Sequence, residues 1–289
     1  MDNEFKNKVA VITGAGRGIG RAIAMQMALK GAKIVVNDYG SGPDGSGASS
    51  VYAEEVAEEI RRAGGEAVSN GDTVATEEGG TRIIDTAIET FGRIDILVNN
   101  AGIVMDRMIF NLTENEWDLV LKVNLYGQFY CTRAATRIMR KNNWGRIINM
   151  SSGAGLGRTA GCANYAAAKE GVIGFTRAVA RDMSRYGVTC NAIRPLALTR
   201  HFDEERKQAW VRQGKTRDIE EMENSRPEDV AAFVLYLASE EAKHITGRTF
   251  FVGGGIISLY SEPERIKTIE RGDGWNYGKF SHIIPSDSQ

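Results

Sequence analysis

The 289-residue chain is long enough for one sizeable α/β domain, and its 42% apolar and 25% charged content is ordinary for a globular protein. A formal net charge of −1 supplies no global basic field, so neither nucleic acid nor a membrane surface is expected as a partner. Three cysteines and three histidines, all scattered, offer neither a disulfide framework nor metal-ligand spacing, and no metal is expected.

The first strand-like run, Val9-Ala-Val-Ile-Thr13, begins almost at once and leaves no room for a signal peptide. No run approaches about 18 apolar residues, so no membrane span is expected. The final residues lack a peroxisomal S-K-L address, and a cytoplasmic location is expected.

Short β-branched runs predict strands at 8–13, 33–37, 66–70, 94–98, 145–149, 188–193 and 248–252. Helical periodicity fills 18–30, 49–63, 76–91, 115–140, 163–186 and 227–238. Strands alternating with crossover helices predict a single-domain, doubly wound parallel α/β sheet of about seven strands, a Rossmann architecture with helices on both faces. Two segments stand outside this alternation. One is the glycine-rich stretch Tyr39 to Ala48. The other is 256–289, whose Trp275, Tyr277 and Phe280 are unusual for a disordered tail, so it is expected to pack on the body or on a neighbouring subunit.

Strand one runs into Thr13-Gly-Ala-Gly-Arg-Gly-Ile-Gly20 and then a helix. Glycine in such a turn lets backbone approach a pyrophosphate, and the positive helix end favours its charge. The spacing is Gly14-x-x-x-Gly18-x-Gly20, with Ile19 between the last two glycines. Asp38 follows the second strand, where an acid accepts hydrogen bonds from the adenosine ribose and repels a 2′-phosphate. NAD is therefore favoured over NADP, although Arg17 is a cation of the kind that meets a 2′-phosphate. Residues 1–255 read as a dinucleotide-binding catalytic domain, with a substrate loop at 195–225.

Tyr165 and Lys169 lie four apart in a helical stretch and share one face. A free phenol, with a pKa near 10, is a poor base at neutrality; a nearby ammonium and the positive nicotinamide ring of NAD⁺ favour the phenolate. Lowering such a pKa by about two units requires about 2.7 kcal/mol, a plausible demand on two neighbouring charges. Ser151 and Ser152 close the strand around Gly145–Met150, at the edge where open α/β sheets bind ligands.

Together, Thr13-Gly14-x-x-x-Gly18-Ile-Gly20, Asn99-Asn-Ala-Gly102, Asn124, Ser152 and Tyr165-x-x-x-Lys169 resemble the short-chain dehydrogenase/reductase family over roughly residues 6–255. The resemblance implies Tyr165 as general acid/base and Lys169 as the ligand of nicotinamide-ribose hydroxyls. It implies Ser152 as the serine that orients a carbonyl, with Ser151 beside it, and Asn124 as holder of a water linking the lysine to solvent. Asp72, with Thr73 beside it, matches the acid that binds the adenine amino group, while Asn99, Asn100, Ala101 and Gly102 shape the adenosine region. A homotetramer (or homodimer) and pro-S hydride transfer are implied as well. Where the family commonly has Pro-Gly this chain has Pro195-Leu196; Thr199 still fits a nicotinamide-contacting position.

Asn37-Asp38-Tyr-Gly40, the glycine-rich insert, Glu58-Glu-Ile-Arg-Arg-Ala-Gly-Gly65 and Phe91-Gly-Arg-Ile-Asp95 resemble the D-specific 3-hydroxyacyl-CoA dehydrogenase module of peroxisomal multifunctional enzymes. The likeness fades over 195–225. Val104, Met105, Leu156, Cys162, Leu196, Trp210 and Met222 are candidates to line an apolar pocket. Arg107, Arg158 and Arg200 are candidates for CoA phosphates. Three functions follow: an NAD-linked dehydrogenase interconverting a secondary alcohol and a ketone, such as a 3-hydroxyacyl-CoA; a dehydrogenase of a cyclic, terpenoid or steroid alcohol; and a non-catalytic nucleotide-binding protein.

Overall fold

The computed structural model describes residues 3–42, 45–198, 207–208, 211, 216–266 and 268. Eight strands form one sheet in the order β3-β2-β1-β4-β5-β6-β7-β8: β1 Val9–Thr13, β2 Lys33–Asn37, β3 Glu66–Asn70, β4 Ile96–Asn99, β5 Gly145–Met150, β6 Val188–Pro195, β7 Thr249–Gly253 and β8 Ile256–Leu259. The first seven pair in parallel. The eighth, beyond the seven expected, pairs antiparallel with β7.

Among the described residues, the α-helices with defined bounds are α1 Gly18–Leu29, α2 Val51–Arg62, α3 Glu77–Phe91, α4 Glu114–Leu121, α5 Gly127–Asn142, α6 Ala163–Met183, α7 Thr216–Glu223 and α8 Pro227–Ala238. Alternate residues of β1 enter opposite cores, as the period of a strand requires. Ala10 and Ile12 meet Ile23 and Met27 of α1, Ile60 of α2 and Val234 of α8. Val9 and Val11 meet Ile83 and Ile84 of α3, Cys131 and Met139 of α5 and Val179 of α6. All five residues of β1 are buried because both sheet faces are covered, which is why the strand reads as an unbroken apolar run.

The helix expected over 115–140 is two helices joined by one π turn, Lys122–Tyr126. The helix α7 was not expected; its eight residues are short for a periodicity signal. Among the described residues no helix is long and apolar enough to cross a membrane.

The strand order reverses between β1 and β4. The crevice outside the carboxyl ends of those strands is where such sheets bind ligands.

Candidate active site

The tips of β1 and β4 are stitched together across the crevice. The Thr13 hydroxyl accepts the backbone N–H groups of Asn100 at 3.0 Å and Ala101 at 3.1 Å. The Asn100 amide donates to the carbonyls of Thr13 and Gly14, each at 3.0 Å. Close packing then dictates the glycines. A Cβ on Gly14, at φ +63°, would lie 2.8 Å from the Ala101 Cα, and one on Gly20 would lie 2.3 Å from the Gly14 carbonyl oxygen. Gly18 also has positive φ. Helix α1 starts there with no side-chain cap and no acid in its first turn, so the chain leaves its positive end uncompensated. Ile19 packs inward against the core.

Asp38 is buried at the tip of β2, where its carboxylate accepts the N–H of Gly16 at 2.9 Å and of Gly40 at 2.7 Å. Arg17 lays its guanidinium 3.8 Å over the Tyr52 ring and donates to the Ser41 carbonyl at 3.0 Å. Farther along, Asp72 accepts from Arg82 at 2.7 Å and from Asn70 at 3.0 Å, and the Thr73 hydroxyl accepts the Ala75 N–H.

At the other end of the crevice, α6 carries Tyr165 and Lys169 one turn apart. The Lys169 ammonium is buried, donates to the Met150 carbonyl at 2.9 Å and lies 5.5 Å from the centroid of the Tyr165 ring. Burial pushes its pKa down to about 7, because desolvation penalises the charged form. Asn124 sits in the π turn with no exposed surface; its amide donates to the carbonyls of Ile103 and Val120 at 2.9 and 3.0 Å. Its Oδ1, also buried, has no hydrogen-bond partner among the described residues. A Cβ on Gly102 would stand 2.7 Å from that oxygen and 3.6 Å from the Lys169 nitrogen, so one small space adjoins both. An acceptor and an ammonium around it suit a bound water or a hydroxyl.

Ser151 donates to the Lys169 carbonyl at 2.8 Å and anchors β5 to α6. Ser152 opens the 3₁₀ turn Gly153–Leu156, and its hydroxyl accepts the Ala154 N–H at 3.2 Å. Pro195 ends β6. Leu196, at the departure from the family pattern, continues the ladder by donating to the Val252 carbonyl at 2.8 Å. It fits because its neighbour is Gly253, where a Cβ would lie 2.5 Å from Leu196.

The structure thus brings together Gly14, Gly20, Asn100 and Ala101 at one end, and Gly102, Asn124, Tyr165 and Lys169 at the other. Val104, Met105, Leu196 and Met222 are half-buried, Cys162 is buried, and Leu156 and Arg158 are exposed. Arg107 bridges through its backbone to Cys162 while its side chain pairs with Glu116 at 2.8 Å. Thr199, Arg200, Trp210, Trp275, Tyr277 and Phe280 lie outside the described residues.

Two residues absent from the sequence reading also hold the site. Buried Asn164 accepts the Tyr165 N–H at 2.8 Å and donates to the carbonyls of Met105 and Glu116. Arg194 is a buried cation within β6; its signal was a charge in a strand otherwise free of it.

A doubly wound sheet with this crevice defines an α/β scaffold that binds its ligand at the switch point of the strand order. A family model described as "Enoyl-(Acyl carrier protein) reductase" matches residues 14–257. The chain is 41% identical over 258 residues to peroxisomal multifunctional enzyme A of Dictyostelium discoideum, covering 89% of this chain and 55% of that protein. It therefore spans about half the length of that relative. It is 41% identical over 251 residues to a 3-oxoacyl-[acyl-carrier-protein] reductase of Synechocystis, covering 86% of this chain and 97% of that one. The crystal structure of a short chain dehydrogenase from Mycobacterium avium superposes with a TM-score of 0.82 at 42% identity, covering 97% of this chain and 94% of the other. This chain belongs to the short-chain dehydrogenase/reductase family of oxidoreductases.

Proposed function

We propose that the protein interconverts a secondary alcohol and a ketone with NAD(H), and that its substrate is a 3-hydroxyacyl thioester such as a 3-hydroxyacyl-CoA. The observation that carries the chemistry is the clustering of buried Lys169, the unpartnered Asn124 oxygen and Gly102 beside Tyr165. In oxidation, the Tyr165 phenolate takes the substrate hydroxyl proton while Ser152 hydrogen-bonds the same oxygen and fixes its direction. Lys169 holds ribose hydroxyls and supports the phenolate, and a water on Asn124 Oδ1 carries the proton outward. The dinucleotide, when bound, supplies the hydride acceptor.

The crevice fits that dinucleotide. Gly14, Gly18, Ile19 and Gly20 would offer the pyrophosphate an uncapped helix start with no acid in its first turn, and Asn100 and Ala101, bonded to Thr13, lie beside it with Gly102 following. Asp72 and Thr73 would border the adenine, and Pro195 and Thr199 the nicotinamide. Two features support NAD rather than NADP. Asp38 places a carboxylate against Gly16, and Arg17, the candidate 2′-phosphate ligand, is committed to Tyr52 and Ser41.

The acyl reading is supported by the Synechocystis relative, named for a 3-oxoacyl substrate, and by the likeness to a 3-hydroxyacyl-CoA dehydrogenase module. Residues 1–255 form the proposed catalytic unit, with 195–225 as the substrate wall and 256–289 as an extension packing on the body or a neighbour. Pairing of β8 with β7 supports that packing. Exposed Tyr126 and Phe129 at the start of α5 support a homotetramer or homodimer, and three free cysteines suit a reducing, cytoplasmic setting.

The test is coenzyme reduction over a panel of 3-hydroxyacyl-CoAs, their free acids, cyclic alcohols and steroids, run with NAD and with NADP. Highest kcat/KM for a 3-hydroxyacyl-CoA with NAD is expected. Turnover confined to cyclic or steroid alcohols would transfer the assignment to the second class, and equal rates with NADP would overturn the coenzyme reading.

A further inference from the structure

The serine turn after β5 and the helix α6 bear two groups that must meet one substrate oxygen, yet they belong to different elements. Besides the Ser151–Lys169 bond, a buried arginine on a third element bonds to both of them. Arg194, 3% exposed on β6, donates through Nη1 to the Ser152 carbonyl at 3.0 Å and through Nη2 to Glu170 at 2.7 Å. Glu170 follows Lys169 directly on α6. Gly155, inside the serine turn, packs against the pair: a Cβ there would lie 3.0 Å from the Glu170 carboxylate and 3.3 Å from Arg194 Nη1.

The open side of the guanidinium is covered by the Tyr260 ring, 5.0 Å away, in the segment that follows β8. That segment is tied down in turn. The Tyr260 N–H donates to the Thr249 carbonyl at 2.9 Å, and Glu262 pairs with Arg177 of α6 at 2.6 Å and with Arg248 at 3.7 Å.

We propose that Arg194 is a positioning residue, a strut that sets the spacing between the Ser152 hydroxyl and the Tyr165 phenol. The proposal rests on the reading of Ser152 and Tyr165 given above. A planar guanidinium suits this task better than an ammonium, because its two prongs diverge in fixed directions toward the turn and the helix. With the strut removed, the Ser152 carbonyl loses its donor and the 3₁₀ turn is free to shift relative to α6. A displacement of about 1 Å at a reacting group costs roughly a hundredfold in rate, so even part of that shift is measurable.

The experiment is a double-mutant cycle on the full chain with Arg194→Met, Ser152→Ala and the pair. Methionine preserves the apolar stem, and Glu170, half-exposed, tolerates the loss of its partner. Arg194→Met is expected to lower kcat about tenfold or more while NADH affinity stays unchanged. In the Ser152→Ala background the same substitution is expected to cost nothing further, because the group it positions has gone. If Ser152→Ala alone leaves kcat intact, the serine reading falls and this proposal with it. If Ser152→Ala lowers kcat but Arg194→Met does not, or the two losses multiply, the strut alone is overturned. Should Arg194→Met not fold, the same cycle run with Arg194→Lys, which keeps the charge and loses the fork, decides the matter.

Discussion

Burial takes water from the Lys169 ammonium and lowers its pKa to about 7, while the ammonium donates one hydrogen bond to the Met150 carbonyl at 2.9 Å. The unfolded lysine titrates near 10.4, so between about pH 7 and 10 the unfolded chain binds the extra proton. Stability contributed by this site therefore rises with pH across that window, and below it the penalty of burying the charge is fully present. In urea melts, wild type is expected to gain on the order of 3 kcal/mol relative to Lys169→Met between pH 7 and 10. A difference that stays flat with pH contradicts the desolvated ammonium. At this scale the four-residue spacing of Tyr165 and Lys169 predicted their shared face on α6, whereas the roles proposed for Ser152 and Asn124 come from the family resemblance. Asn164 and Arg194 were not legible, because their partners, the carbonyls of Met105, Glu116 and Ser152 and the Glu170 carboxylate, lie in distant segments, and such contacts leave no spacing to read.

The glycine turn between β1 and α1 is constrained by contact more than by flexibility. Gly20→Ala would push a methyl to within 2.3 Å of the Gly14 carbonyl, and backbone offers no rotamer through which to yield. The expected result is a loss of about 1–3 kcal/mol in stability with weaker NADH binding; unchanged values in both would show that the turn has slack. Seven strands were legible to within two residues, since runs such as Val9–Thr13 are buried on both sides. The break at Lys122–Tyr126 was hidden because apolar periodicity continues across a single π turn. Strand β8 was missed for the opposite reason: all four residues are exposed, so no alternation marks it. A signal existed nonetheless. Gly254-Gly255 between two apolar runs, both at positive φ, is the chemistry of a tight hairpin turn.

On the scale of the molecule, one sheet separates two cores, and the crevice lies at the one place where strand order reverses. The C-terminal hairpin extends that sheet and carries Tyr260 and Glu262 back onto β6 and α6. Truncation after Gly255 removes these contacts and leaves β7 as an open edge. It is expected to lower Tm by several degrees and to reduce kcat more than it reduces NADH affinity. A truncated chain with wild-type Tm and kcat would make the hairpin dispensable.

The central claim is that the Tyr165 hydroxyl is the group that exchanges a proton with substrate. Tyr165→Phe deletes one oxygen and leaves the ring over which Lys169 sits. Steady-state turnover of this variant, with NADH affinity measured on the same preparation, tests the claim most directly. A fall in kcat of about a hundredfold or more with NADH affinity unchanged is the expected result; a kcat within a few-fold of wild type would contradict it.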